Sequence, residues 1–120
     1  MEKVLQYTPY VIAAIGGWTV LNGVLHEIFV LLSDHAKQYD RNLLRLLVDG
    51  LLLMSLGTVL LLLFGGLKNG DTTFAYIAIV CSGSIFIYCL LIFPFLPTVG
   101  MLILHAVSIV LVALTLIYKT

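Results

Sequence analysis

Four apolar runs constrain this chain more than any other feature of its sequence. They cover about residues 8–32, 43–66, 73–93 and 98–118, and short polar or proline-containing segments separate them. A helix of about 20 apolar residues crosses the hydrocarbon core of a bilayer, and each run is long enough to do so. The pattern predicts an all-α fold: an integral membrane, up-down four-helix bundle that forms a single transmembrane domain over residues 1–120.

The composition favours a membrane protein over a soluble one. The chain is 62% hydrophobic and only 10% charged, with a mean hydropathy of +1.16, whereas soluble domains contain roughly 25% charged residues. A soluble fold of 120 residues could not bury that much apolar surface. Six basic and six acidic residues give no net charge, which argues against a nucleic-acid partner. The predicted partners are the lipid bilayer and either further copies of the chain or a larger membrane complex, in a bacterial inner membrane.

The first run contains the stretch that most clearly indicates a functional site, because Asn22, His26 and Glu27 interrupt an otherwise apolar sequence. An ionisable group inside hydrocarbon is costly unless it is neutral, paired or facing a polar cavity. At 100° per residue, these three residues share an arc of about 140° with Gly16 and Gly23. The opposite side is aliphatic. We therefore expect one face of this helix to meet lipid and the other to meet protein.

Glycines are predicted to set the packing between helices. Gly16 and Gly23 would let another helix approach the first run closely, since small residues bring two backbones together in a membrane. The second run carries Gly50 and Gly57 at the same seven-residue spacing. The predicted packing residues are Gly16, Gly23, Gly50 and Gly57.

Polar residues from all four runs are predicted to meet at one depth. Counted along the helix axis, Glu27 lies roughly 7–8 Å inside the end of its run, and Asp49 and His105 lie roughly 10 Å inside from the same membrane side. His26 adjoins Glu27 in the sequence, and Tyr88 reaches this depth from the third run. The predicted layer, which is the candidate site for a ligand or a proton, comprises Asn22, His26, Glu27, Asp49, Tyr88 and His105.

The main interpretation is a small structural or binding membrane protein built around this layer. Polar contacts between facing helices stabilise such a bundle by about 0.6–2 kcal/mol each. Asp49 has Arg45 one helical turn before it, a spacing that predicts an ion pair between the two. The layer supplies acids and bases but no nucleophile with a base beside it, so the sequence predicts no catalytic residue and disfavours an enzyme.

Two other functions stay open at this point. His26 and His105 could be axial ligands of a haem, or could bind a divalent metal together with a carboxylate from Glu27 or Asp49. Alternatively, Glu27 and His26 could take up and release protons, as in a proton-coupled transporter of ions or small solutes.

Overall fold

A computed structural model of the chain describes residues 1–119, and these are 86% helical with no strand among them. Four helices are long and apolar enough to cross a membrane. We call them the first to fourth spans, and they cover Thr8–Leu32, Arg41–Leu62, Thr72–Ile92 and Val99–Lys119. Shorter helices precede the first span and follow the second, at Glu2–Leu5 and Phe64–Lys68, and a 3-10 helix over Asp34–Lys37 links the first two spans.

The predicted spans agree with the observed helices except at the end of the second. Residue 66 is the predicted end there, but helical structure resumes after Leu63 and continues to Lys68. The chain turns at Gly70, whose φ of +75° favours glycine. Aspartates cap the helices that follow the two polar loops: Asp40 accepts a hydrogen bond from the amide of Leu43 at 2.9 Å, and Asp71 caps the third span in the same way.

The first and second spans pack backbone against backbone through their glycines. Gly16 faces Gly57 and Gly23 faces Gly50, as the antiparallel direction of the two helices requires. A Cβ atom added to Gly57 would lie 2.8 Å from the carbonyl oxygen of Gly16, and one added to Gly23 would lie 2.8 Å from that of Gly50. No larger residue fits at Gly16, Gly23 or Gly57 without moving a backbone, so these glycines set both the distance and the register of this hairpin.

The third and fourth spans form a second hairpin with small buried polar groups. The hydroxyls of Ser82 and Ser108 are 2.7 Å apart and hydrogen-bonded, and both side chains are fully buried. Ile85 and Val112 pack in the same core. Small residues allow the two helices to approach, and the serine pair forms a hydrogen bond between them.

Residues 94–97 of the turn between these two spans leave no backbone donor free. Pro94 and Pro97 have no N–H group, and the amides of Phe95 and Leu96 both donate to the carbonyl oxygen of Ile92 at 2.9 Å. The side chain of Phe95 is 84% exposed. An apolar turn with satisfied donors suits contact with hydrocarbon, where unpaired backbone groups are expensive.

The two hairpins join through the first and fourth spans and through the second and third. Thr19 hydrogen-bonds His105 at 3.0 Å, and Thr115 lies 3.4 Å from Thr8, so the first and fourth spans are antiparallel. Leu53 of the second span belongs to the buried cluster that contains core residues of the third. Each span thus packs beside its sequence neighbours, and the fourth closes on the first.

Polar and apolar residues are distributed as a bilayer requires. Several of the fully buried side chains are polar, whereas large aliphatic and aromatic side chains cover the outside. Buried polar groups satisfied by neighbouring helices, with an apolar exterior, are the pattern of helices solvated by lipid. The fold therefore indicates a membrane protein. The buried polar residues are Thr8, Thr19, Ser82, His105 and Ser108.

Candidate functional site

His26 connects the first span to the backbone of the second. Its Nε2 atom lies 2.9 Å from the carbonyl oxygen of Leu46. A carbonyl oxygen only accepts, so Nε2 carries the proton and donates. In the neutral imidazole this leaves Nδ1 as an acceptor.

Glu27 continues the stripe of residues on which the first span meets the second. Its carboxylate rests on Gly50, where an added Cβ atom would overlap the carboxylate group. The Oε1 atom is buried and has no hydrogen-bond partner among residues 1–119. Glu27 therefore fits between the two helices because position 50 has no side chain.

Asp49 lies near the third span as well as near the first. Tyr88 and His26 are both close enough to interact electrostatically with its carboxylate. The predicted ion pair between Arg45 and Asp49 is absent: in the described part of the chain, the one ion pair joins Lys37 to Asp34 at 2.8 Å. Asp49 is half-buried, and the groups that interact with it belong to the first and third spans.

His105 lies deeper than the rest of the predicted layer. Its Nε2 atom is 3.0 Å from the hydroxyl of Thr19, which itself donates to the carbonyl oxygen of Ile15 at 2.8 Å. Because Thr19 has used its only hydrogen, Nε2 of His105 is the donor in their contact. Thr19 precedes His26 by seven residues, a distance of about 10.5 Å along the helix axis. The predicted layer therefore splits into two levels.

The two histidines consequently do not share a site in this structure. Each has its Nε2 atom engaged by a different group, and Nδ1 of His105 is buried with no partner from residues 1–119. Within that same range, no three His, Cys, Asp or Glu side chains are grouped as metal ligands. The haem and metal interpretations stay predictions, and the observed geometry adds nothing to them.

A cavity of about 470 Å³ lies beside the upper level, between the first span and the turn that joins the third and fourth. Asn22, His26 and Tyr88 supply polar side chains at this level, and Thr98 adds a hydroxyl group. Its apolar lining is aromatic and aliphatic and includes Trp18, Leu25, Phe29, Ile92, Leu96 and Met101. A cavity of this volume, mostly apolar with a few convergent polar groups, has the character of a small-molecule site. The sequence identified the polar residues but gave no sign of the cavity.

The cavity opens sideways, toward the surface that a bilayer would cover. Trp18, Phe29 and Leu96 line it and are also among the large exposed apolar side chains of the bundle. Thr98 and Cys89 also line the cavity, and the Thr98 hydroxyl donates to the carbonyl oxygen of Cys89 at 2.9 Å. A molecule dissolved in the lipid could therefore reach the polar groups without crossing the bundle.

Five of the six predicted site residues thus lie at one level, although in three settings. Asn22, His26 and Tyr88 line the cavity, Asp49 interacts with Tyr88 and His26 from outside the lining, and Glu27 lies between the first two spans. In comparisons with known proteins, no family model, no curated protein and no solved structure matches this chain.

Proposed function

We propose that the chain is an integral membrane protein of the binding type, and that its cavity holds a small molecule that partitions into the bilayer. The observation that carries the proposal is the 470 Å³ cavity, in which three polar side chains converge within an apolar lining. Its lateral opening lies on the lipid-facing surface. Helical rather than barrel spans favour the inner over the outer bacterial membrane as its location.

Trp18 provides a direct readout of cavity occupancy, because it is the only tryptophan in the chain and lies in the cavity lining. The proposed probe is 4-hydroxy-TEMPO, an uncharged nitroxide that quenches tryptophan fluorescence on close approach. With the purified protein in detergent micelles, we expect a saturable quenching component above the linear collisional background. Strictly linear quenching would contradict the proposal.

A filled cavity supplies the matched control. Gly100 lines the cavity, and a Cβ atom added to it meets no atom within 4 Å, so Gly100→Phe should fill the space without a clash. Gly83 also has open space around it and lies outside the cavity lining. We expect Gly100→Phe to abolish the saturable component and Gly83→Phe to retain it. Equal quenching in the two variants would place the probe elsewhere.

Proton-coupled transport is a second candidate, supported by a second cavity of about 160 Å³ at the other end of the bundle. Thr8, Thr115 and Lys68 are among the residues that line it. The buried pairs Thr19–His105 and Ser82–Ser108 lie between the two cavities. Proteoliposomes loaded with a pH-sensitive dye test this candidate: it requires a proton flux that His105→Leu abolishes.

Self-association is part of the proposal, because the bundle is thin, with extents of 53 × 26 × 19 Å. Docking onto a larger membrane complex is the other arrangement considered. Light scattering of the purified protein in detergent gives its mass directly. A mass of two or more copies supports self-association, and a monomer at all concentrations opposes it.

A further inference from the structure

The hydrogen-bonding state of the cavity indicates what kind of head group it takes. His26 donates its Nε2 proton to Leu46 and so offers the lone pair of Nδ1 when the ring is neutral. Tyr88 contributes a hydroxyl group whose oxygen can accept. Asn22 donates one amide proton to the carbonyl oxygen of Trp18 at 2.8 Å, which leaves its oxygen to accept and its second amide proton to donate. The lining therefore offers acceptors at His26, Asn22 and Tyr88, beside N–H donors at Asn22 and Trp18.

One carboxylate interacts with the residues of the cavity lining. Asp49 interacts electrostatically with Tyr88 and His26, and it makes no ion pair with Arg45 or with any other cation in the described chain. No lysine or arginine lines the cavity. A carboxylate that approaches a site with no neighbouring cation favours a positive ligand over a neutral or negative one.

The aromatic lining reinforces this preference. Trp18, Phe29 and Tyr88 contribute side chains to the cavity. An ammonium group that comes within about 6 Å of an aromatic ring gains cation–π attraction, which is strongest for tryptophan. Acceptors, a carboxylate and aromatic rings together match a head group that is cationic and rich in N–H donors.

From these observations we infer that the cavity selects lipophilic amines, which bind as ammonium ions with the head group between Asn22, His26 and Tyr88 and the apolar body toward Phe29 and Leu96. This inference rests on the proposed binding function and names its ligand class. Neutral molecules such as ketones and quinones lack the charge that Asp49 attracts, and anions such as fatty acids are repelled by it.

A series of nitroxides with one body and four head groups tests the inference. Quenching of Trp18 is titrated with 4-amino-, 4-hydroxy-, 4-oxo- and 4-carboxy-TEMPO, and the Gly100→Phe variant defines the background for each probe. We expect the amine to bind at least about tenfold more tightly than the ketone or the carboxylate, since its ammonium group makes charge-assisted hydrogen bonds. Equal or tighter binding of the ketone or the carboxylate overturns the inference.

Asp49→Asn tests the origin of the preference, with Asp34→Asn in the exposed first loop as the matched charge control. Asparagine has nearly the same size and shape as aspartate but carries no charge, so we expect the amine preference to fall below about threefold while 4-hydroxy-TEMPO still binds. A preference unchanged in Asp49→Asn contradicts the role of the carboxylate. Should that variant not fold, Tyr88→Phe removes one acceptor and is expected to weaken amine binding selectively.

The two proposals can fail separately. If no probe gives a saturable component, the binding function itself is wrong. If 4-hydroxy-TEMPO saturates and the amine shows no advantage, the binding function stands and the ligand class is wrong.

Discussion

Gly16 and Gly57 lie against each other so closely that neither position has room for a β-carbon. A Cβ atom on Gly16 would lie 2.9 Å from the carbonyl oxygen of Gly57, and one on Gly57 would lie 2.8 Å from that of Gly16. Because the obstacle on each side is backbone, no rotamer change can relieve the overlap. This contact and its counterpart, Gly23 against Gly50, fix where His26 and Glu27 meet the second span.

The first prediction concerns this contact. Gly57→Ala should lower the free energy of unfolding by about 1–3 kcal/mol, the usual range for overpacking a tight interface. Gly83→Ala is the control, because a Cβ atom there has nothing within 4 Å. Alanine has a higher helix propensity than glycine, so Gly83→Ala should leave the free energy of unfolding unchanged or raise it. Denaturant titration in detergent, followed by circular dichroism, measures both variants, and equal stabilities would show that the spans do not pack as described.

The sequence predicted the four spans because their signal is local. An apolar run of sufficient length commits a segment to the bilayer as a helix, whichever neighbour it later packs against. The breaks between spans are also marked by local sequence, namely Pro94, Pro97 and the polar segment after Leu32. The prediction failed at the end of the second span, where the pair Gly65–Gly66 was expected to end the helix. These residues are helical, and the chain turns at Gly70 instead.

The depth of His105 and the neighbours of Asp49 could not be read from the sequence, because both depend on how helices slide and rotate against one another. Counting from the start of a span assumes that all spans start at one level. The contact between His105 and Thr19 shows that the fourth span starts deeper than the first one ends. That same offset leaves the cavity beside Trp18, which no single segment encodes.

The second prediction uses the buried contact between Thr19 and His105. Thr19→Val should destabilise the bundle by about 1–2 kcal/mol, because it leaves the Nε2 proton of His105 buried without an acceptor. The double variant Thr19→Val/His105→Leu should recover part of that loss, since two apolar partners leave no polar group unpaired. The free energies of unfolding of the two single variants and the double variant are compared with that of the unchanged protein in a double-mutant cycle. Strictly additive losses would rule out a coupled pair.

The third prediction concerns topology. Lys37→Cys and Asn69→Cys, in the first and second loops, should react with a membrane-impermeant maleimide from opposite sides of a proteoliposome. Phe95→Cys should resist the reagent in lipid and react in detergent, because its apolar turn lies against hydrocarbon. The native Cys81 and Cys89 are buried and should stay unlabelled in the folded protein. Labelling of positions 37 and 69 from one side would contradict the up-down arrangement.

The fourth prediction separates a contact between spans from one within a span. Thr98 donates from the start of the fourth span to the carbonyl oxygen of Cys89 in the third, whereas Thr58 donates to Met54 one turn back in its own helix. Thr98→Val should therefore cost about 0.5–1.5 kcal/mol, and Thr58→Val should cost little, because its carbonyl keeps the helical hydrogen bond. Thr98 also lines the cavity, so its loss should weaken saturable quenching of Trp18. Thermal unfolding and nitroxide quenching are measured on both variants. Equal unfolding temperatures and equal quenching would mean that the prolines and the backbone alone stabilise the turn.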